Sequence, residues 1–336
     1  MDATRRLIGM GVMPIRRKTA SGKYKPHFSV AFKTSGERRT FGIDTTRTGR
    51  SKDDQHFLIT HAHTDHYGKS AMLSEKSIAS DKTAIALGLR HDQHYKGVSF
   101  QVGDTIEVDG VKIRTYDTHH SIGSCAFYFE NEVGVKVLVT GDVKDAGGLP
   151  KCDLLITEAT YGNPHDPLCI FEDDYDSFEA ALDHSRVGFG AYSLGKAQRA
   201  VSLIRKLGFA DPIEMDKSSL LLTKHLLGED AGELAGLGEY GGRMCITSPW
   251  SLNRLPYNIK KFVLTGQRYY DQPCICISDH LDFEGLKDMV FKLDPDFTLV
   301  YHPEEGNSKL FSDYLNRNGK ESCTLSDISG AINDDF

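Results

Sequence analysis

No stretch of this 336-residue chain approaches the roughly 18 consecutive apolar residues of a membrane-spanning helix, so no membrane partner is expected. No CxxC pair occurs among the seven cysteines at 125, 152, 169, 245, 274, 276 and 323, which removes the spacing of a zinc ribbon. Scattered thiols in an odd number fit small buried side chains in a reducing cytoplasm, the expected location. There is no repeat, no low-complexity segment and no recognisable added nucleic-acid module such as a KH domain. Arg5-Arg6 precede the mildly apolar Leu7 to Ile15. Gly9, Gly11, Pro14 and the lack of a small-residue cleavage site argue against a secretion signal there. Tryptophan occurs once, at Trp250. Stacking on a base is open to it, but packing in a core or between domains is the expectation.

Positive charge is also short. The net charge of −7 by itself speaks against a nucleic-acid partner. Its distribution is uneven: residues 1–50 hold twelve Lys/Arg against three Asp/Glu, which leaves −16 on the remainder. A basic arm of that kind either meets a phosphate chain or forms a solvated edge.

What is present is an ordinary soluble composition, 39% hydrophobic and 26% charged, enough for one large domain or two of common size. The first 160 residues read as strands: Phe28–Phe32, Arg39–Ile43, His56–Ile59, Thr105–Val108, Val111–Tyr116, Cys125–Glu130 and Lys136–Thr140, with a helix at Asp81–Arg90. From about 171 to 277 the pattern changes to alternating helix and strand. Phe171–Ser185, Lys196–Leu207 and Ser218–Gly228 read as helices there. Pro212–Met215, Met244–Ser248 and Phe262–Thr265 read as strands. Glu229–Gly242 is the expected flexible loop. Helix, strand and helix follow at Phe283–Lys292, Phe297–Tyr301 and Ser308–Asn316.

Chemistry concentrates at HAHTDH, residues 61 to 66, behind the apolar run Phe57–Ile59. Alternation sends His61 and His63 the same way, so one ion can take both imidazoles. Asp65 and His66 lie on the turn that follows and can face a neighbouring ion. Imidazole with carboxylate suits zinc or a similar first-row metal. A histidine-rich surface loop would need no further ligands at other strand ends. Further candidates are there: His119 and His120 in DTHHSIGS, Asp142 in VTGD, Glu158 in ITEATYG, Asp279 and His280 in ISDHLDFEGL, and Tyr301 and His302 in VYHPEEG. Five separate apolar runs end in such side chains, which places them on one rim of a sheet.

HAHTDH, then His120 in HSIGS and Asp142 in TGD, resembles the metallo-β-lactamase superfamily. TEATYG, AYSLGKAQ, SDHLDFEGL and VYHPEEG, in that order, resemble its β-CASP nuclease branch, over roughly residues 40 to 320. The resemblance implies an α/β fold, an αβ/βα sandwich of two sheets with helices outside and a small inserted α/β domain. The implied division is 1–162, an insert at 163–277, and a return segment at 278–336.

By the same likeness His61, His63 and His120 hold one divalent metal, and Asp65, His66 and His302 a second. Asp142 bridges the two ions. Zinc is the expected metal, with manganese as the alternative. Asp65, Glu158 and His280 are the candidate catalytic residues. Two metals activate a water toward phosphorus, while His280, held protonated by Glu158, gives a proton to the leaving oxygen. Glu158 supporting a metal-bound histidine is the other reading of that carboxylate. Asp44 in FGIDTT is expected to hold a ligand rather than be one, and His119 either does the same or merely packs. Ser193, Gly195 and Lys196, where a strand meets a helix N-terminus, are candidates for a substrate phosphate; an ordinary turn with a cap is the alternative.

The implied activity is a metal-dependent nuclease acting on RNA or single-stranded DNA, with His302 leaning toward RNA. Alternatives are a DNA-directed exonuclease, a hydrolase of a lactone, thioester or cyclic phosphate, and a non-catalytic scaffold. Relatives of this kind often dimerise, so a homodimer is open. Pro303 after His302, the short insert and the acidic net charge depart from the family's pattern.

Overall fold

The computed structural model describes residues 3–18, 21–45, 55–266, 269–301 and 306–328. Alternation within single strands sets the layering. In the strand Cys125–Glu130, Phe127 and Phe129 enter one core while Ala126 enters another. Val137 and Val139 separate from Leu138 in the same way, as do Leu154 and Ile156 from Leu155. Successive side chains of a strand point to opposite faces, so a sheet apolar on both faces must be covered twice.

The central core lies between two sheets. One has six strands in the order Val12–Lys18, Tyr24–Thr34, Glu37–Ile43, Gln55–Leu58, Ser77–Ser80 and Val98–Phe100. The other has seven, in the order Ser322–Thr324, Phe297–Val300, Leu154–Thr157, Lys136–Val139, Cys125–Glu130, Val111–Asp117 and Thr105–Val108. Phe28, Val30, Phe41 and Leu58 of the first meet Ile113, Phe127, Phe129 and Leu299 of the second. Outside the second sheet, the helix Phe283–Leu293 and Phe311 and Leu315 of the helix Gly306–Arg317 cover Leu138, Leu155 and Val300. Outside the first, Ala84 and Leu87 of the helix Asp81–His91 cover Ala79. This is the αβ/βα sandwich of the metallo-β-lactamase type.

A third, all-parallel sheet has the strand order Leu234–Gly236, Ile213–Met215, Met244–Thr247, Val187–Gly190, Lys260–Leu264 and Cys274–Ile275. It buries its own core around Phe178, Phe189, Val201 and Ile246. Its helix Lys217–Leu227 also packs on the helix Asp81–His91, where Lys82 Nζ donates to the Leu226 carbonyl (2.9 Å).

Three local expectations change. Val187–Gly190 was not legible as a strand, because two of its four residues are glycine. A Cβ on Gly188 would lie 2.7 Å from Leu255 Cδ1, and one on Gly190 3.1 Å from Pro249 Cα. A neighbouring segment thus approaches both glycines closely, most tightly through the Pro249 backbone at Gly190. The helix expected from Phe171 begins at Tyr175, capped by Asp174, because Asp173 is taken by Lys144, Arg199 and the Ser278 amide. Glu229–Gly242 is not an unstructured loop. It contains the strand Leu234–Gly236, and the Glu214 carboxylate accepts the amides of Gly238, Tyr240 and Gly242 (2.8 to 3.0 Å).

Candidate metal centre and its cleft

The strand Gln55–Leu58 is paired on both sides within the first sheet, so the chain leaves it at a fixed point. Thr60 and His61 follow directly. Asp44 leaves the adjacent strand and is fully buried; its Oδ1 accepts the Thr60 amide and its Oδ2 the Thr60 hydroxyl, both at 2.8 Å. With its hydroxyl proton given to Asp44, Thr60 Oγ1 accepts from His61 Nδ1 (3.0 Å). Asp44 Oδ2 also accepts from His66 Nδ1 (2.8 Å). One carboxylate thereby fixes the tautomers of two histidines and turns both Nε2 atoms toward a common point. The close packing extends to Gly141, where a Cβ would fall 2.4 Å from Thr60 Oγ1.

His63 and His120 are fixed by carbonyls. His63 Nε2 donates to Leu194 (3.2 Å) and His120 Nδ1 to Asp279 (2.8 Å). Their remaining nitrogens, His63 Nδ1 and His120 Nε2, face each other at 2.9 Å. Two imidazole lone pairs at that separation repel unless a cation lies beside both. A proton is a poor candidate. Burial chiefly, with neighbouring imidazoles, pushes His61 and His120 well below their ordinary value, and burial drives His63 down to about 4.

Asp142 completes the cluster from the end of Lys136–Val139. Its Oδ2 lies 3.5 Å from His61 Nε2, 3.5 Å from His120 Nε2 and 3.4 Å from His66 Nε2. Asp65 Oδ2 is 3.6 Å from His66 Nε2. The nitrogens His61 Nε2 and His66 Nε2 are buried without a hydrogen bond. Ligand atoms of His61, His63, His120 and Asp142 lie within 4.8 Å of one another. This neutral, lone-pair-bearing imidazole set with one carboxylate fits a first-row divalent ion. His66 differs. Burial opposes its charge, but Asp142 and Asp44 overcome that and raise it to about 10, so an ion there displaces a proton.

Beside this cluster His280 Nδ1 lies 3.1 Å from both oxygens of Glu158. Glu158 also accepts the amides of Val143 (2.7 Å) and Thr160 (3.2 Å), so it is held by His280 and backbone rather than by His120. Burial works against both charges of the pair, yet mutual attraction prevails: His280 is held up at about 9 and Glu158 down at about 2. The other His280 nitrogen, Nε2, is left for the cleft that His280 lines.

The remaining candidates separate. His119 sits at φ +55° with its amide on Asp117 Oδ1 (2.7 Å) and its ring beside the same carboxylate, exposed and away from the cluster. Ser193 lines the cleft. The Gly195 amide is already given to Gln198 Oε1 (2.8 Å), and Lys196 is buried, with its ammonium on Asp279 Oδ2 (3.1 Å) and the Ile277 carbonyl (2.9 Å). His302 lies outside the described residues. None of the described residues before 45 lines the cleft.

The cleft is about 650 Å³. One wall is the histidine–aspartate rim. The other is made where the parallel strands of the third sheet end: Ser193, Asp216, Ser248, Thr265 and Ser278 follow five of them in turn. Ligands of open parallel sheets bind at that edge. Tyr192 and Trp250 belong to this wall, and Tyr192 was missed as a site residue. Trp250, for which stacking on a base was the lesser alternative to packing in a core or between domains, is 69% exposed and so does not pack in a core.

Several known proteins resemble the chain. RNase aCSPSF2 of Saccharolobus solfataricus is 23% identical over 209 residues, 51% of this chain and 42% of that protein. Endoribonuclease ysh1 of Schizosaccharomyces pombe is 32% identical over 112 residues, 30% of this chain and 15% of that protein. By these relatives and by its histidine–aspartate cluster, the chain is similar to the β-CASP branch of the metallo-β-lactamase superfamily. A probable DNA ligase of Opitutus terrae is 25% identical over 310 residues, 81% of this chain and 29% of that protein. The chain thus spans less than half the length of these three relatives. No family profile matches it. A protein of unknown function from Enterococcus faecalis V583 shares the fold at a TM-score of 0.63 and 11% identity, over 92% of this chain and 97% of that one. Among the described residues no helix is long and apolar enough to cross a membrane.

Proposed function

We propose that this chain is a β-CASP-type metal-dependent nuclease that hydrolyses phosphodiester bonds in RNA or single-stranded DNA. The observation that carries the reading is the meeting of His61, His63, His66, His120 and Asp142 at one end of a cleft whose next residue is a charged His280–Glu158 pair. His61, His63 and His120 would hold one ion, Asp65, His66 and His302 a second, and Asp142 both. The insert is taken as 163–277. Divalent ions there, zinc or manganese, would acidify a water and offset charge on a phosphate.

The chain's own groups supply the rest. Asp44 keeps His61 and His66 aimed. Glu158 holds His280 Nδ1, so that Nε2 carries a proton into the cleft for a departing oxygen. Ser193 offers a hydroxyl to a neighbouring phosphate. RNA as substrate is supported by what the ribonuclease relatives are named for. A second reading, DNA, is supported by the 310-residue match to a protein named as a probable DNA ligase.

The test is a digest of labelled RNA and single-stranded DNA, with a lactone panel, in zinc or manganese. Strand cleavage that Asp65→Ala abolishes is the expected result. Cleavage of lactones alone, or RNA cleavage that survives Asp65→Ala, overturns the proposal.

A further inference from the structure

The wall built by the third sheet presents aromatic rings rather than cations. Trp250 lies in the short turn Pro249–Arg254, directly after the strand Met244–Thr247. Tyr192 follows the adjacent strand Val187–Gly190, in which Gly190 is opposite Thr247. Their rings stand 5.5 Å apart at 54°, and Tyr192 Oη is 3.2 Å from Tyr270 Oη. The turn carrying Trp250 is held: Ser248 Oγ accepts the Ser251 amide (3.3 Å), and Pro249 lies against Gly190 so closely that no Cβ fits with ease. An indole 69% exposed on a fixed turn forgoes burial that a core position would supply, which marks a surface kept for a partner.

Charge decides what that partner offers. Among the described residues lining the cleft, the basic side chains are Arg90, Lys196 and the Glu158-paired His280, against Asp65, Asp142, Asp216 and Asp279. Lys196 is taken up by Asp279, and Arg90 donates to the Ala62 carbonyl (2.9 Å). Among its described residues this wall therefore brings little unengaged positive charge to a phosphate. Aromatic faces hold a strand by a different route, because every base has a π face and stacking needs no charge.

We propose that Trp250 and Tyr192, steadied by Tyr270, form a stacking platform for an unpaired base of the strand whose phosphate lies at the histidine–aspartate rim. The proposal rests on the nuclease reading and deepens it. A base inside a duplex is already stacked on its neighbours, so the platform selects single-stranded segments and tolerates any base.

Trp250 is the chain's single tryptophan, so its emission reports the platform alone. Metal-loaded protein is titrated with three phosphorothioate ligands of about twelve nucleotides: a single strand, an abasic strand of equal length and a blunt duplex. The expected result is quenching by the single strand, with affinity about ten-fold above that for the abasic strand, and little response to the duplex. In cleavage assays Trp250→Ala is expected to raise KM about ten-fold, and Trp250→Phe to recover most of the loss. Should Trp250→Ala fail to fold, Tyr192→Ala carries the test, with Trp250 still reporting affinity. Equal binding of abasic and normal strands overturns the platform, as does an unchanged KM in Trp250→Ala and Tyr192→Ala. Loss of the platform with strand cleavage intact leaves the nuclease reading standing. Discrimination against the abasic strand without cleavage supports the platform and sinks the nuclease reading instead.

Discussion

The two walls of the cleft are built on opposite principles. On the sandwich side, side chains are buried, titratable and wired: Asp44 alone reaches Thr60 and His66 directly and His61 through Thr60. On the third-sheet side, Ser193, Ser248, Tyr192 and Trp250 are neutral, and Trp250 stands in solvent. The first wall confines charge, which needs exact placement and excludes water. The second offers surface, which needs shape more than placement. Changes to the first wall should therefore appear in metal content and kcat, and changes to the second in KM.

The largest effect that could break this division belongs to Asp142. With one oxygen 3.4 to 3.5 Å from three imidazoles, Asp142→Ala is expected to empty the centre. Strand cleavage should fall on the order of 10³-fold or more, and elemental analysis of purified protein should find metal lost with it. Normal metal content at full activity would refute the placement of that carboxylate at the centre. His280→Ala comes next. The rate should drop about 10²- to 10⁴-fold with metal retained, which separates a proton donor from a support for metal ligands. Asp44→Asn touches no ion in this reading but puts an NH2 donor where one carboxylate oxygen accepted from both His66 Nδ1 and the Thr60 hydroxyl. Metal affinity should weaken about 10- to 100-fold, measurable by competition with a chelator.

Stability against pH sharpens the same contrast. His280, raised to about 9, contributes fully below its ordinary 6.5, and that contribution is lost as pH rises through about 9. Glu158, lowered to about 2, contributes fully above its ordinary 4.5 and loses it as pH falls through about 2. The pair therefore stabilises most between 4.5 and 6.5. The thermal midpoint of Glu158→Gln should fall furthest below wild type in that window, and the gap should narrow above about pH 9. A gap that widens with alkalinity would contradict the charged pair. The smallest effect is on the other wall: Tyr192→Phe, losing its contact with Tyr270 Oη but keeping its ring, should change KM less than about three-fold.

Legibility in the sequence followed the same boundary. The sandwich wall could be read because its chemistry demands particular residue types at short spacing: His61, His63, Asp65 and His66 fall within six residues. Metal-competent or acid–base side chains at the ends of apolar runs also pointed to His120, Asp142, Glu158 and His280. The platform wall left no such trace. Tyr192 and Trp250 are 58 residues apart, and adjacency arises only because two parallel strands pair at Gly190 and Thr247. The strand that carries Tyr192 was itself hidden by the glycines that let Pro249 approach. Lys196 was read as a phosphate contact from its place at a helix start, whereas its long side chain is folded inward onto Asp279.

The sequence by itself determined the resemblance to the superfamily, the alternation that makes a two-faced sheet, and which side chains were candidates to bind metal. These depend on residue type and local period, which are properties of neighbours along the chain. Only the tertiary structure decided which imidazole nitrogens face inward, that Asp44 serves two histidines, that His119 turns away, and that a lone tryptophan stands beside a tyrosine at the cleft. Those outcomes depend on distances between segments far apart in the chain, fixed when separate sheets pack and their strand ends meet.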